Sequence, residues 1–142
     1  MRIERVIAAP VAVVWGAWLN PDTLPMWWGP DGFTCHTQRI ALGAGGEWVF
    51  DMIGPDGTVY PNQHRYTRVQ PLRRIEYVLH WGENGPKHAD AWVTFDAMGD
   101  ETRVTLGMVF VTAEECDKAK GFGAEALGLQ TLGKLARFVG AD

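Results

Sequence analysis

The side chains able to do acid–base or polar work gather on one stretch, residues 58–69. Under a two-residue period, Tyr60, Asn62, His64, Tyr66 and Arg68 share one face of a strand, and Val59, Pro61, Gln63, Arg65, Thr67 and Val69 share the other. Turned inward, the first set would put hydrogen-bonding groups on one wall of an otherwise apolar cavity, the usual make-up of a small-molecule site. Turned outward by a bulge or the opposite register, the same set would be solvated. His64 is the best single candidate for proton transfer, because an unperturbed imidazole titrates near neutrality. A lone histidine is more often a hydrogen-bonding cavity or surface residue, so no catalytic residue is assigned.

Other chemistries find less in the sequence. His36, His64, His80 and His88 lack the short spacing of a metal-ligand pair, and no carboxylate or thiol falls in register with them. No metal and no cofactor are expected. The Gly45-Gly46 turn lacks the Lys and Ser/Thr of a phosphate loop, and spacing defines no Ser-His-Asp order. Glu114, Glu115 and Asp117 are accounted for as charges at a helix start. Cys35 and Cys116 form no CxxC pair and are expected as buried free thiols in a reducing compartment.

Composition narrows the partners. The 142 residues suit one ordinary domain, residues 1–142, able to bury roughly two-thirds of its unfolded surface without a disulfide or metal. A net charge of −4 argues against a nucleic-acid partner, which would require a basic face. The first apolar run, residues 11–19, is too short to span a bilayer and is interrupted by Gly16, and no leader pattern precedes it. A cytoplasmic protein without a membrane span is the expectation. Seven tryptophans exceed what a small core needs, and an indole N–H wants a partner, so they suit cavity walls as well as core. Trp27 and Trp28, fixed by Gly29-Pro30, either gate such a cavity or simply pack.

The elements that must position these residues follow from periodicity. Residues 2–8 alternate as a first strand. Pro10 opens a helix whose apolar face is Val11, Val14, Trp15 and Trp18, and Asn20-Pro21 and Pro25 confine a second, short helix. From Phe33 the period becomes two. Strands are expected over 33–40, 47–53, 58–69, 74–81, 89–97 and 103–111, joined by short turns such as Gly54-Pro55-Asp56-Gly57 and Gly99-Asp100. Short connections demand antiparallel neighbours. Thr112 caps a last helix expected to run unbroken over 113–139, with an apolar stripe of Leu129, Leu132, Ala136 and Val139 extended by Phe122, Glu125 and Ala126. Gly121, Gly123 and Gly128 weaken its first half, and where glycines thin a helix against a twisted sheet, space is left.

Several segments carry a resemblance to a known family. Ala9-Pro10 with Val14-Trp15, Trp27-Trp28-Gly29-Pro30, Gly45-Gly46-Glu47-Trp48, Gly54-Pro55-Asp56-Gly57, Thr102-Arg103-Val104-Thr105-Leu106, and Gln130-Thr131-Leu132 with Leu135-Ala136 lie in order along the whole chain. Together they resemble the activator of Hsp90 ATPase homologue family, within the START-like, Bet-v-1-like (SRPBCC) helix-grip superfamily. The resemblance implies an α+β helix-grip fold: a curved antiparallel sheet of about seven strands around a long C-terminal helix, with two short helices after the first strand. It commonly implies a cavity for a small hydrophobic molecule, but no single chemistry. Relatives carry an Asp and an Arg where this chain has Ala41 and Gly43, and often Gly where His64 stands, so roles built on those residues do not transfer. The Hsp90 activator itself works with a second, N-terminal domain that this sequence does not show.

The function expected is binding of a small hydrophobic or amphipathic molecule between sheet and C-terminal helix. Its walls would be Trp48, Phe50, Met52, Tyr60, His64, Tyr66, Tyr77, Leu79, Trp81, Phe95, Met108, Phe110, Phe122, Ala126 and Leu129. Two alternatives stay open: a cyclase- or hydrolase-like enzyme for an aromatic or polyketide-like substrate, using His64 and the tyrosines, and a module that docks on an Hsp90-type chaperone. A homodimer is also left open.

Overall fold

The computed structural model describes residues 1–141. Along the chain lie β1 (Arg2–Ile7), α1 (Val11–Trp18), α2 (Leu24–Trp27), β2 (Thr34–Ile40), β3 (Glu47–Ile53), β4 (Val59–Gln70), β5 (Arg74–His80), β6 (Lys87–Met98), β7 (Glu101–Phe110), α3 (Ala113–Gly121) and α4 (Ala124–Phe138). The strands make one antiparallel sheet in the order β1-β7-β6-β5-β4-β3-β2. From β2 onward each strand pairs with the next, as short turns require. At Gly54-Pro55-Asp56-Gly57, the Gly57 N–H donates to the Gly54 carbonyl at 3.0 Å, and the Asp56 carboxylate accepts from the Thr58 N–H at 2.9 Å. β1 instead joins the far edge on β7, placing Ile3 opposite Leu106.

One face of the sheet is apolar and buried, drawing on Trp48, Phe50, Tyr66, Ile75, Tyr77, Val93, Phe95 and Val104. The helices supply the opposing layer through Val14 and Trp18 of α1, Leu24 and Trp27 of α2, and Leu132, Leu135 and Ala136 of α4. Each large side chain so buried contributes about 1.5–3 kcal/mol before the entropy of ordering it. This is the helix-grip architecture expected from the sequence.

The tryptophans concentrate at one end of that core. Trp18 meets Trp27 edge-on at 4.8 Å and Trp28 at 5.7 Å, and Trp28 meets Trp48 at 6.3 Å. Trp27 is fully buried, its Nε1–H donating to the Ala17 carbonyl at 3.1 Å. It is a plug.

Two expectations are corrected. The last helix is not continuous over 113–139. It stops after Gly121, Gly123 takes a left-handed φ of +74°, and α4 begins at Ala124. A left-handed residue cannot continue a right-handed helix, and glycine adopts that conformation without a Cβ clash. Thr112 does cap α3, accepting from the Glu115 N–H at 3.1 Å. Arg68 does not share the inward face of Tyr66. The β4–β5 register shifts between them, which turns Arg68 outward to pair with Glu76 at 3.3 Å.

The polar edge of α4 fixes the loop after α2. Lys134 Nζ donates to the carbonyls of Pro30 (3.3 Å) and Phe33 (3.1 Å). Gln130 accepts from the Asp31 N–H at 3.1 Å, and Arg137 pairs with the Asp31 carboxylate at 3.1 Å. These contacts hold Trp28 and Pro30 at the rim of the grip. Among the described residues, no helix is long and apolar enough to cross a membrane.

Candidate functional site

Beside the tryptophan cluster, where α3 breaks from α4, helices and sheet do not close on each other. The space left is a cavity of about 270 Å³. Its sheet wall includes Ile3, Met52, Asn62, His64, Leu79, Leu106, Met108 and Phe110; its helix wall is Ala119, Ala124, Leu127, Gly128 and Thr131, with Trp28 and Pro30 at one side. It opens into an outer space of about 520 Å³ bounded by Phe33, Tyr60, Trp81, Glu115, Lys118 and Phe122. Phe122 is 82% exposed there. The helix wall is thin because its residues are small. A Cβ on Gly128 would stand 2.5 Å from Cδ1 of Ile3, so α4 seats on β1 at that glycine.

His64 is enclosed by rings. It stacks on Tyr77 with centroids 4.5 Å apart, and Phe50 (5.1 Å), Trp28 (5.4 Å) and Trp48 (5.4 Å) meet it edge-on. Among the described residues no hydrogen-bond partner reaches its ring nitrogens. Burial without a compensating charge pushes its pKa down to about 3, so the ring is neutral at physiological pH. Beside it on β4, Asn62 donates one N–H to the Tyr60 carbonyl at 2.9 Å. Tyr77 lies behind this wall, and among the described residues its buried hydroxyl has no hydrogen-bond partner. Burial raises the pKa of both Tyr77 and Tyr66.

At the mouth, His88 of β6 packs between Trp81 (4.3 Å) and Phe110 (4.9 Å). Its Nδ1 lies 3.6 Å from the Glu115 carboxylate on α3. Burial lowers its pKa against the opposing pull of Glu115. Charged side chains thus lie at the entrance, in Glu115 and Lys118, while on the inner lining the Met1 ammonium donates to the Met108 carbonyl at 2.9 Å and the remaining polar groups are neutral. No group of three or more metal-ligating side chains occurs among the described residues.

This geometry sits on a chain whose sequence matches one family model over residues 8–140, that of the activator of Hsp90 ATPase homolog 1-like protein. The chain belongs to that family. No curated protein matches the sequence. Solved structures similar to it include a protein from Arthrobacter aurescens (TM-score 0.89, 23% identity, covering 99% of this chain and 86% of that one). Protein Ms6760 from Mycobacterium smegmatis is similar with TM-score 0.84 and 22% identity, covering 96% and 88% of the two chains. DynU16, from the dynemicin biosynthetic locus, has TM-score 0.68 and 20% identity, covering 98% of this chain and 46% of that one. At such identities the likeness is one of fold.

Within this family fold, the wall residues read from the sequence divide into three groups. Met52, His64, Leu79, Trp81, Met108 and Phe110 border the inner cavity, and Tyr60 and Phe122 border the mouth. Trp48, Phe50, Tyr66, Tyr77 and Phe95 are brought to the same sheet face but packed into the core beside the cavity. Phe95 is covered by Trp15 (5.1 Å) and Trp18 (5.6 Å). Ala126 and Leu129 turn to solvent, because the inward stripe of α4 runs through Ala124, Leu127, Gly128 and Thr131. Trp28 lines the cavity where Trp27 does not.

The sequence reading missed Ile3, Leu106, Leu127, Thr131 and the His88–Glu115 pair. Leu127 and Thr131 have the four-residue spacing of a helix face, a signal obscured by the competing apolar stripe drawn through Leu129 and Leu132. Nothing in sequence links His88 to Glu115, which meet only when β6 and α3 are both placed.

Proposed function

We propose that this domain binds a small, predominantly apolar molecule in the cavity between the sheet and α3–α4. The observation that carries the reading is the cavity itself: predominantly apolar walls, the neutral polar side chains of Asn62 and His64, and charged side chains at its mouth. Removing a ligand's apolar surface from water contributes about 25 cal/mol per Å², offset by the cost of immobilising it. His64 acts here as a wall residue. A ring kept neutral by burial, without a carboxylate to orient it, suits hydrogen bonding better than proton transfer. The free thiols Cys35 and Cys116 suit a reducing compartment such as the cytoplasm.

Native mass spectrometry of the purified chain, followed by thermal-shift measurements across sterols, fatty acids and aromatic compounds, tests this. A bound molecule appears as added mass, and a ligand at a hundred times its Kd stabilises the fold by about 2.7 kcal/mol. No added mass together with no shift across the panel would sink the reading.

A further inference from the structure

Asn62 and His64 are neighbours on one face of β4, 5% and 3% exposed, and both line the inner cavity. Their hydrogen-bonding capacity is largely unspent. Asn62 uses one N–H on the Tyr60 carbonyl, leaving its carbonyl oxygen and second N–H. A neutral imidazole has one N–H and one lone pair, and neither meets a protein partner among the described residues. Of the other polar side chains on the lining, Thr131 donates to the Leu127 carbonyl of its own helix at 3.3 Å, and His88 faces the Glu115 carboxylate at 3.6 Å.

We infer that the inner end of the cavity recognises an uncharged hydroxyl group on an otherwise apolar molecule, held by Asn62 and His64. The inference rests on the binding reading above and names the chemistry of the ligand's inner end. A hydroxyl both donates and accepts, matching what the two side chains offer together. A hydrocarbon would bury Asn62 and His64 without partners, which is costly. A carboxylate or ammonium would be desolvated away from the side-chain charges of Glu115 and Lys118 at the mouth, and the Met1 ammonium on the lining is already engaged with the Met108 carbonyl at 2.9 Å. The ring cage round His64 disfavours its protonation, so this side chain does not answer an anion.

The test is a matched series on one bicyclic skeleton: naphthalene, 2-methoxynaphthalene, 2-naphthol and 2-naphthoate, titrated calorimetrically into the full chain at pH 7. The expected order is 2-naphthol tightest, by about fivefold over naphthalene, the size of one net hydrogen bond, with 2-naphthoate weakest. In His64→Phe and in Asn62→Leu the naphthol-to-naphthalene ratio falls towards one. The wild-type series decides the matter even where a variant fails to fold, and a shift of the His64 ring nitrogens on adding naphthol but not naphthalene gives a second readout. Equal affinity for naphthol and naphthalene overturns this inference and leaves the binding reading standing. Tightest binding of 2-naphthoate overturns it as well. Failure of all four probes to bind counts against both.

Discussion

His64 and Tyr77 lie face to face, ring centroids 4.5 Å apart and planes 26° from parallel, at the boundary between the packed core and the cavity. One side chain closes the core and the other borders the space. Burial among rings, with no charged partner, holds this mid-strand histidine in its neutral form.

The first prediction concerns acid stability. Unfolded, His64 takes up a proton below about pH 6.5; folded, it stays neutral down to about 3. Between those values the unfolded chain binds more protons, so stability is full above pH 6.5 and falls as pH drops. From pH 6.5 to 5 this one group costs about 1.5 kcal/mol. Urea unfolding at several pH values should show the wild type losing that much more than His64→Phe over the same interval. Parallel pH profiles for the two proteins would contradict the cage.

A second prediction concerns the seat of α4 on β1. Gly128→Ala gains helix propensity of up to about 1 kcal/mol but drives a methyl group towards Cδ1 of Ile3, 2.5 Å away. Ile3→Val removes that carbon. Gly128→Ala should therefore be more favourable by about 0.5–1 kcal/mol in the Ile3→Val background than in the wild type. Additive single effects would mean that the helix does not rest there.

Much of this arrangement was legible before the fold was seen, for identifiable reasons. The two-residue alternation of Trp48 and Phe50, or of Ile75, Tyr77 and Leu79, survives because one sheet face is buried and the other is not. What failed depends on events that periodicity does not encode. The break at Gly123 is a backbone conformation, indistinguishable in sequence from a weak helical position. The bulge that turns Arg68 outward is set by pairing with β5. The choice of Gly128 over Leu129 as the inward position reflects how closely β1 approaches, a long-range fact that hydrophobicity alone misplaces. Composition likewise could not tell which tryptophans fill space and which border it.

The third prediction uses Cys35. Its thiol donates to the Trp28 carbonyl at 3.5 Å beneath the loop held by Lys134, and burial pushes its pKa up to about 12, partly opposed by that lysine. The thiolate is the reactive form. Iodoacetamide at pH 8 should alkylate Cys35 at least about a hundredfold more slowly in the folded chain than in urea, followed by peptide mass analysis. Similar rates in both states would show that the loop does not close over it.

The most direct test of the central claim uses the five methionines as reporters. Met1, Met52 and Met108 line the cavity, whereas Met26 is 69% exposed on α2 and Met98 lies at the distal end of β6. Titration of 13C-methyl-methionine protein with 2-naphthol, followed by methyl NMR, should shift the resonances of Met1, Met52 and Met108 with ligand-to-methyl NOEs, and leave Met26 and Met98 unmoved. Perturbation of Met26 or Met98 with the other three silent would contradict the account.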